Sequence, residues 1–174
     1  MKRNISLWQI CGFVFTGIFG VILHFLYDWT DKSIIIAPFS GVNESTWEHM
    51  KLLYFPLFIF ALFQSRYFND RKDYWCVKLS GILAGLISIP VLFYTYNGAF
   101  GKSPDWLNVT MFFISAAFAF ILETVLFRKG GLKCKHSTTA LFIICFIGIL
   151  FIVFTFYVPA LPLFQDPVSG IFGI

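Results

Sequence analysis

Apolar positions along the chain gather into five long runs separated by short polar breaks. A helix needs about 20 mostly apolar residues to cross the hydrocarbon of a bilayer, so each run is long enough to span. The runs predict helices over 7–27, 46–65, 74–96, 105–127 and 137–158, with an outer loop at 28–45 and an outer tail at 159–174. The first run is too long for a signal peptide, is polar at its end and lacks a small-residue cleavage site, so it is expected to remain in the protein. Ser45-Thr46-Trp47-Glu48 has the capping-box pattern that opens a helix. Pro104-Asp105-Trp106 opens the fourth with a proline and an acid in the first turn. Pro56 and Pro90 each remove a helical donor and predict bends in the second and third helices. Pro159, Pro162 and Pro167 exclude a regular helix from the tail. The expected fold is all-α: a polytopic membrane protein, one domain built as a bundle of five transmembrane helices.

Composition agrees with this reading. Of 174 residues 58% are hydrophobic, 24 are Phe and only 13% are charged, against about 25% charged in an ordinary soluble domain. A water-soluble globule is excluded, and five spans leave no length for a second domain. The net charge of +4 sits at the ends of apolar runs and forms no stripe, so nucleic acid is not an expected partner. Basic loops stay in the cytoplasm. An inner N-terminus places Lys2, Arg3, Arg66, Arg71, Lys72, Arg128, Lys129, Lys133 and Lys135 inside, against Lys32 and Lys102 outside; Lys78 near an inner end and Lys51 near an outer end do not change the balance. The expected topology is N-in, C-out, in a multi-pass protein of the cell membrane. Trp8, Trp29, Trp47, Trp75 and Trp106 all fall near span ends, at headgroup depth. Cys11, Cys76 and Cys134 map to the inner side and Cys145 to the fifth span, so free thiols and no disulfide are expected.

Polar residues inside apolar runs are costly, so they carry the information on function. Gly12, Thr16, Gly20, His24 and Asp28 recur at spacings of four and form one stripe on the first helix. Its small residues suit close helix packing, and His24 and Asp28 stand one turn apart at its outer end. Ser80, Ala84 and Ser88, beside Gly81 and Gly85, repeat the small-residue device in the third helix. Asn43, Glu44, Glu48 and His49 crowd the start of the second helix, and topology puts Asn97 and Asn108 at the same end. Glu48 also has structural employment as the capping acid or as a surface partner of Lys51. The apolar strip Ile34-Ile35-Ile36-Ala37-Pro38-Phe39 is expected to dip into the interface, where it would serve as a lid. At the inner end Glu123 is expected to snorkel toward Arg128, and His136 reads as an ordinary interfacial residue.

Two resemblances rest on these residues. Leu23-His24-Phe25-Leu26-Tyr27-Asp28-Trp29-Thr30, followed by Phe39-Ser40-Gly41-Val42-Asn43-Glu44-Ser45-Thr46-Trp47-Glu48-His49-Met50-Lys51-Leu52, resembles the signature of a small uncharacterised membrane-protein family of Firmicutes, especially clostridia, which implies no activity. His24 and Asp28, with Glu48 above Pro56, also resemble the recurring pattern of the EXPERA superfamily, which includes the emopamil-binding sterol isomerase and the sigma-2 receptor. Only those positions carry over, and the likeness implies a shared fold over helices one to four; the fifth helix departs from the usual arrangement.

Several functions are compatible with the pattern. In the first, an outer-leaflet site in a Phe-rich bundle binds a membrane lipid or apolar small molecule through Asn43, Glu44, His49, Asn97 and Asn108. Its catalytic form is isomerase-like, with His24 and Glu48 as acid and base and Asp28 orienting the imidazole; no cofactor is needed. In the second, a membrane hydrolase holds zinc through His24 and His49 with Asp28 or Glu48. Third come a transporter or accessory subunit and a purely structural role, and self-association into a homo-oligomer is left open.

Overall fold

The computed structural model describes residues 4–129 and 132–174, with the side chain of Asp105 outside the description. Lys2 and Arg3, which enter the charge argument, lie outside the described residues. Five long helices follow one another: α1 (Ile5–Trp29), α2 (Thr46–Ser65), α3 (Tyr74–Phe100), α4 (Asp105–Arg128) and α5 (Ser137–Phe156). A single 3-10 turn, Pro162–Phe164, interrupts the tail. The helices α1, α3, α4 and α5 are long and apolar enough to cross a membrane, which makes this a membrane helical protein. The more polar α2, with Glu48, His49 and Lys51 near one end and Gln64 at the other, runs inside the bundle. It packs on α1 and α3, α4 closes the circuit between them, and α5 docks on α3 and α2. The main core accordingly centres on Leu52, Leu53, Tyr54, Phe55, Leu57 and Phe60 of α2.

The start of α2 uses half of the expected capping box. Ser45 Oγ accepts the Glu48 N–H at 3.4 Å, but the reciprocal bond is taken over by Asn43, whose Oδ1 accepts the Ser45 N–H at 2.9 Å. Both α2 and α3 continue through their internal prolines. At the end of α1, Asp31 and Lys32 adopt positive φ values of 50° and 57°, a left-handed pair that turns the chain back. Ser40 Oγ there accepts the Tyr27 N–H at 2.9 Å and donates to the Leu23 carbonyl.

The small-residue stripe of α1 is a packing seam. A Cβ on Gly12 would lie 2.5 Å from the Phe120 ring and 2.6 Å from Phe60, and one on Gly20 would lie 2.4 Å from Phe112. Three of the five tryptophans also pack inward: Trp47 meets Phe151 at 4.5 Å and Phe164 at 4.6 Å, Trp8 meets Tyr67 at 4.6 Å, and Trp75 meets Tyr74 at 5.0 Å. Only Trp29 and Trp106 are largely exposed.

Two expectations at the basic end are corrected. Glu123 does not reach for Arg128, which donates instead to Ser6 Oγ. Glu123 is fully buried and meets Lys78 Nζ at 2.6 Å, with the Phe120 and Phe60 rings 5.6 and 5.8 Å from the ammonium. Desolvating both charges is expensive, and mutual attraction plus the aromatic faces offsets it. Gly81 makes room, since a Cβ there would lie 2.5 Å from the Glu123 carboxylate. Cys76 and Cys134, expected as free thiols, form a disulfide, while Cys11 and Cys145 are free. The segment before α5 folds onto the start of α3, where Leu132 donates its N–H to Asp73 Oδ2 at 3.0 Å, and this brings together two sulphurs 58 residues apart.

Removing one member of the Lys78–Glu123 pair strands the other charge in the core. Lys78→Met is expected to destabilise the protein by about 3–5 kcal/mol in detergent micelles, and adding Glu123→Leu to it should recover most of that loss. Unfolding of the two single variants and the double variant measures the coupling.

Candidate functional site

The C-terminal end of α1 and the N-terminal ends of α2 and α4 surround a cavity of about 500 Å³. Its walls are mostly apolar: Gly20, Val21 and Phe25 of α1, Leu52 of α2, Val109, Phe112 and Phe113 of α4, and Val168 from the tail. Its polar groups are His24, Glu44, His49 and Asn108. Val21, Phe25 and Val109 are 43%, 45% and 55% exposed, so the mouth opens sideways between α1 and α4. A void of about 20 Å³ adjoins it behind Glu44, His49 and Asn108, room for a single water molecule.

Three elements bring the polar corner together. Glu44 belongs to the loop before α2, and its carboxylate lies 3.6 Å from His24 Nε2 and 3.6 Å from His49 Nε2. The two imidazole rings are 5.8 Å apart. Side-chain exposure is 30% for His24, 18% for His49 and 48% for Glu44, so the corner is sheltered yet reachable. His49 Nδ1 lies 3.0 Å from the Ser45 carbonyl. A carbonyl only accepts, so Nδ1 carries the proton and Nε2 faces Glu44.

The other expected site residues lie elsewhere. Asp28 is exposed and does not pair with His24: the imidazole turns to the loop carboxylate, and the helical spacing of four is not enough to hold the two together. Glu48 is buried and meets Lys51 Nζ at 2.6 Å, while also accepting the Val42 N–H at 3.0 Å. The Lys51 ammonium donates further to the Ala37 carbonyl at 2.8 Å and to Thr155 Oγ1 at 3.1 Å. The expected surface pair is thus a core pair, turned away from the cavity. Asn43 donates to the Gly173 carbonyl at 2.9 Å and so anchors the tail. Asn97 accepts the Ser103 N–H at 2.8 Å and donates to the Phe93 carbonyl at 2.7 Å, closing the α3–α4 turn. Asn108 reaches the cavity while accepting from Ser103 Oγ at 2.7 Å. The 34–39 strip covers none of the cavity: Ala37 and Pro38 are buried, Ile34 and Ile35 are exposed, and Phe39 packs on Phe55 at 5.1 Å.

Of the apolar wall only Gly20 was singled out in the sequence, although a signal for more of it existed: Val21 precedes His24 by three positions and Phe112 follows Asn108 by four, each on the same helical face. No local pattern marks Val168, which arrives through the tail.

A family model of unknown function, DUF6512, matches residues 1–174, and the chain belongs to that family. Comparison with curated proteins and with solved structures finds no match. An uncharacterised membrane family was expected; the clostridial origin and the EXPERA likeness gain no support from these comparisons. The residues that carried the likeness, His24, Asp28 and Glu48, do not converge.

The tail that supplies Val168 is itself held by Asp166. Burial pushes the Asp166 carboxyl up, but the Val168 N–H, the Ser169 hydroxyl and N–H, and the Glu44 N–H together hold it below the usual carboxylate range. The Glu44 N–H is the partner lost when the tail leaves the loop, so the docked form binds fewer protons than the free tail. Its stabilisation is full above the ordinary carboxyl pKa of about 3.9 and is lost as pH falls through the lower docked value. Amide protection over residues 166–173, taken relative to the intrinsic exchange rate at each pH, is expected to fall on acidification through that window, and Asp166→Asn should flatten the response.

Proposed function

We propose that this protein is a five-span protein of the cell membrane, with α2 as the internal fifth span, and that it binds an amphipathic lipid or small molecule from the leaflet at the end opposite the basic loops. The observation that carries this reading is the cavity between α1 and α4, with apolar walls, one polar corner and a sideways mouth. Its volume of about 500 Å³ falls within the usual range for ligand pockets. A polar headgroup meets His24, Glu44, His49 and Asn108, and an acyl or ring portion lies along Val21, Phe25, Val109, Phe112 and Phe113. Any proton transfer on the ligand falls to the two imidazoles and Glu44, because Lys51 neutralises Glu48 and exposed Asp28 points elsewhere.

Native mass spectrometry of tag-free protein from mild detergent tests the reading. Wild type is expected to carry an amphipath enriched over the bulk extract. Val109→Trp, at a half-exposed wall position, should cut its recovery about tenfold or more, equivalent to 1.4 kcal/mol or more of binding, whereas Asp28→Asn should retain it. Equal recovery from wild type and Val109→Trp, with unchanged thermal midpoints, would overturn the proposal.

A further inference from the structure

We infer that His24, Glu44 and His49 form a binding site for a divalent transition-metal ion of the zinc class, with the remainder of its coordination sphere facing the cavity. Each residue offers one ligand atom, and the three atoms lie within 4.8 Å of one another. The two imidazole–carboxylate separations of 3.6 Å are too long for hydrogen bonds. They run to different oxygens, His24 to Oε1 and His49 to Oε2, so the carboxylate spans the space between the two imidazoles, and each separation is near the edge of a zinc tetrahedron, about 3.3 Å for metal–ligand distances near 2.0–2.1 Å.

The orientation of His49 supports the same conclusion independently. Its Nδ1–H is spent on the Ser45 carbonyl at 3.0 Å. An outer hydrogen bond of this kind fixes the tautomer and ring angle of a metal-binding histidine, and it leaves the Nε2 lone pair aimed at the corner. The charge pattern adds a further reason. Among the described residues no Lys or Arg forms an ion pair with Glu44, since Lys51 is engaged by Glu48 and Lys78 by Glu123. One carboxylate and two imidazoles therefore converge on a point that lacks a fixed cation.

Two imidazoles and one carboxylate form a donor set suited to catalytic zinc, which keeps a position open for water or substrate. The cavity that the three residues line is where water or a substrate oxygen would reach the ion. The location of the ion rests on the side chains alone. Assigning its open position to a carbonyl, phosphoryl or hydroxyl oxygen of an amphipath rests on the ligand reading above.

Equilibrium dialysis of chelator-stripped, tag-free wild type against zinc, with elemental analysis, is the direct test. Saturable binding of one zinc per chain is expected. Glu44→Gln, His24→Ala and His49→Ala should each weaken it at least tenfold, while Asp28→Asn and His136→Ala leave it unchanged. Glu44 is half exposed on a loop, so Glu44→Gln keeps the test decisive if a histidine variant fails to fold. Cobalt-loaded wild type should show visible d–d absorption from a low-symmetry nitrogen and oxygen site. No saturable zinc uptake, or uptake by Glu44→Gln equal to wild type, would sink the metal site. Val109→Trp separates the two proposals: it should keep zinc while losing the amphipath. Zinc uptake without any enriched amphipath in wild type would remove the ligand reading alone, and the converse would remove the metal site alone.

Discussion

The ammonium of Lys51 is fully enclosed, and a charge taken out of water must be paired and hydrogen-bonded where it stands. Glu48, one turn earlier on α2, supplies the counter-charge at 2.6 Å; the Ala37 carbonyl and the Thr155 hydroxyl complete the shell. Those partners come from the α1–α2 loop and from α5. One buried cation thus pulls the loop onto the bundle, ties α2 to α5 and withdraws Glu48 from the cavity. Glu44, four residues earlier, is left as the carboxylate that faces the two histidines.

The same logic holds at the other end. Lys78 and Glu123 join α3 to α4, and aromatic rings of α2 and α4 line the ammonium. Tyr54 donates to the Ile144 carbonyl at 2.6 Å across Gly148, where a Cβ would lie 2.7 Å from the hydroxyl. Lys51, Tyr54, Tyr74 and Lys78 of α2 and α3 find partners on other segments, which lets the polar α2 lie at the centre while the apolar helices present their outer faces to lipid. Glycines at these crossings are the spatial counterpart of large side chains opposite: Gly81 for Glu123, Gly12 for Phe60 and Phe120, Gly20 for Phe112.

The cavity sits where this close packing stops. On one wall Gly20 lets Phe112 in tightly, and beyond that contact half-exposed Val21, Phe25 and Val109 line the gap between α1 and α4. The tail, pinned by Asn43 to Gly173 and by Asp166 to its own turn, adds Val168 to one wall. A sheltered polar corner under an apolar gap is the arrangement on which the proposed amphipathic ligand rests.

The helices were legible along the chain because their signals are local. Hydrophobic run length, the Ser45 cap and the Pro104 start depend on neighbours within a turn or two, and the observed helices begin and end within a few residues of those marks. His24, Glu44, His49 and Asn108 were legible as polar residues at one end of the bundle for the same reason. Which of them meet was decided only in three dimensions. The pairing of Glu48 with Lys51 was legible from their spacing of three, but its burial, which withdraws Glu48 and leaves Glu44 at the cavity, depends on Ala37 and Thr155 arriving from distant segments. Asp28 stays exposed without His24, and Cys76 meets Cys134 from 58 residues away, because the tertiary fold and not local spacing decides which segments adjoin.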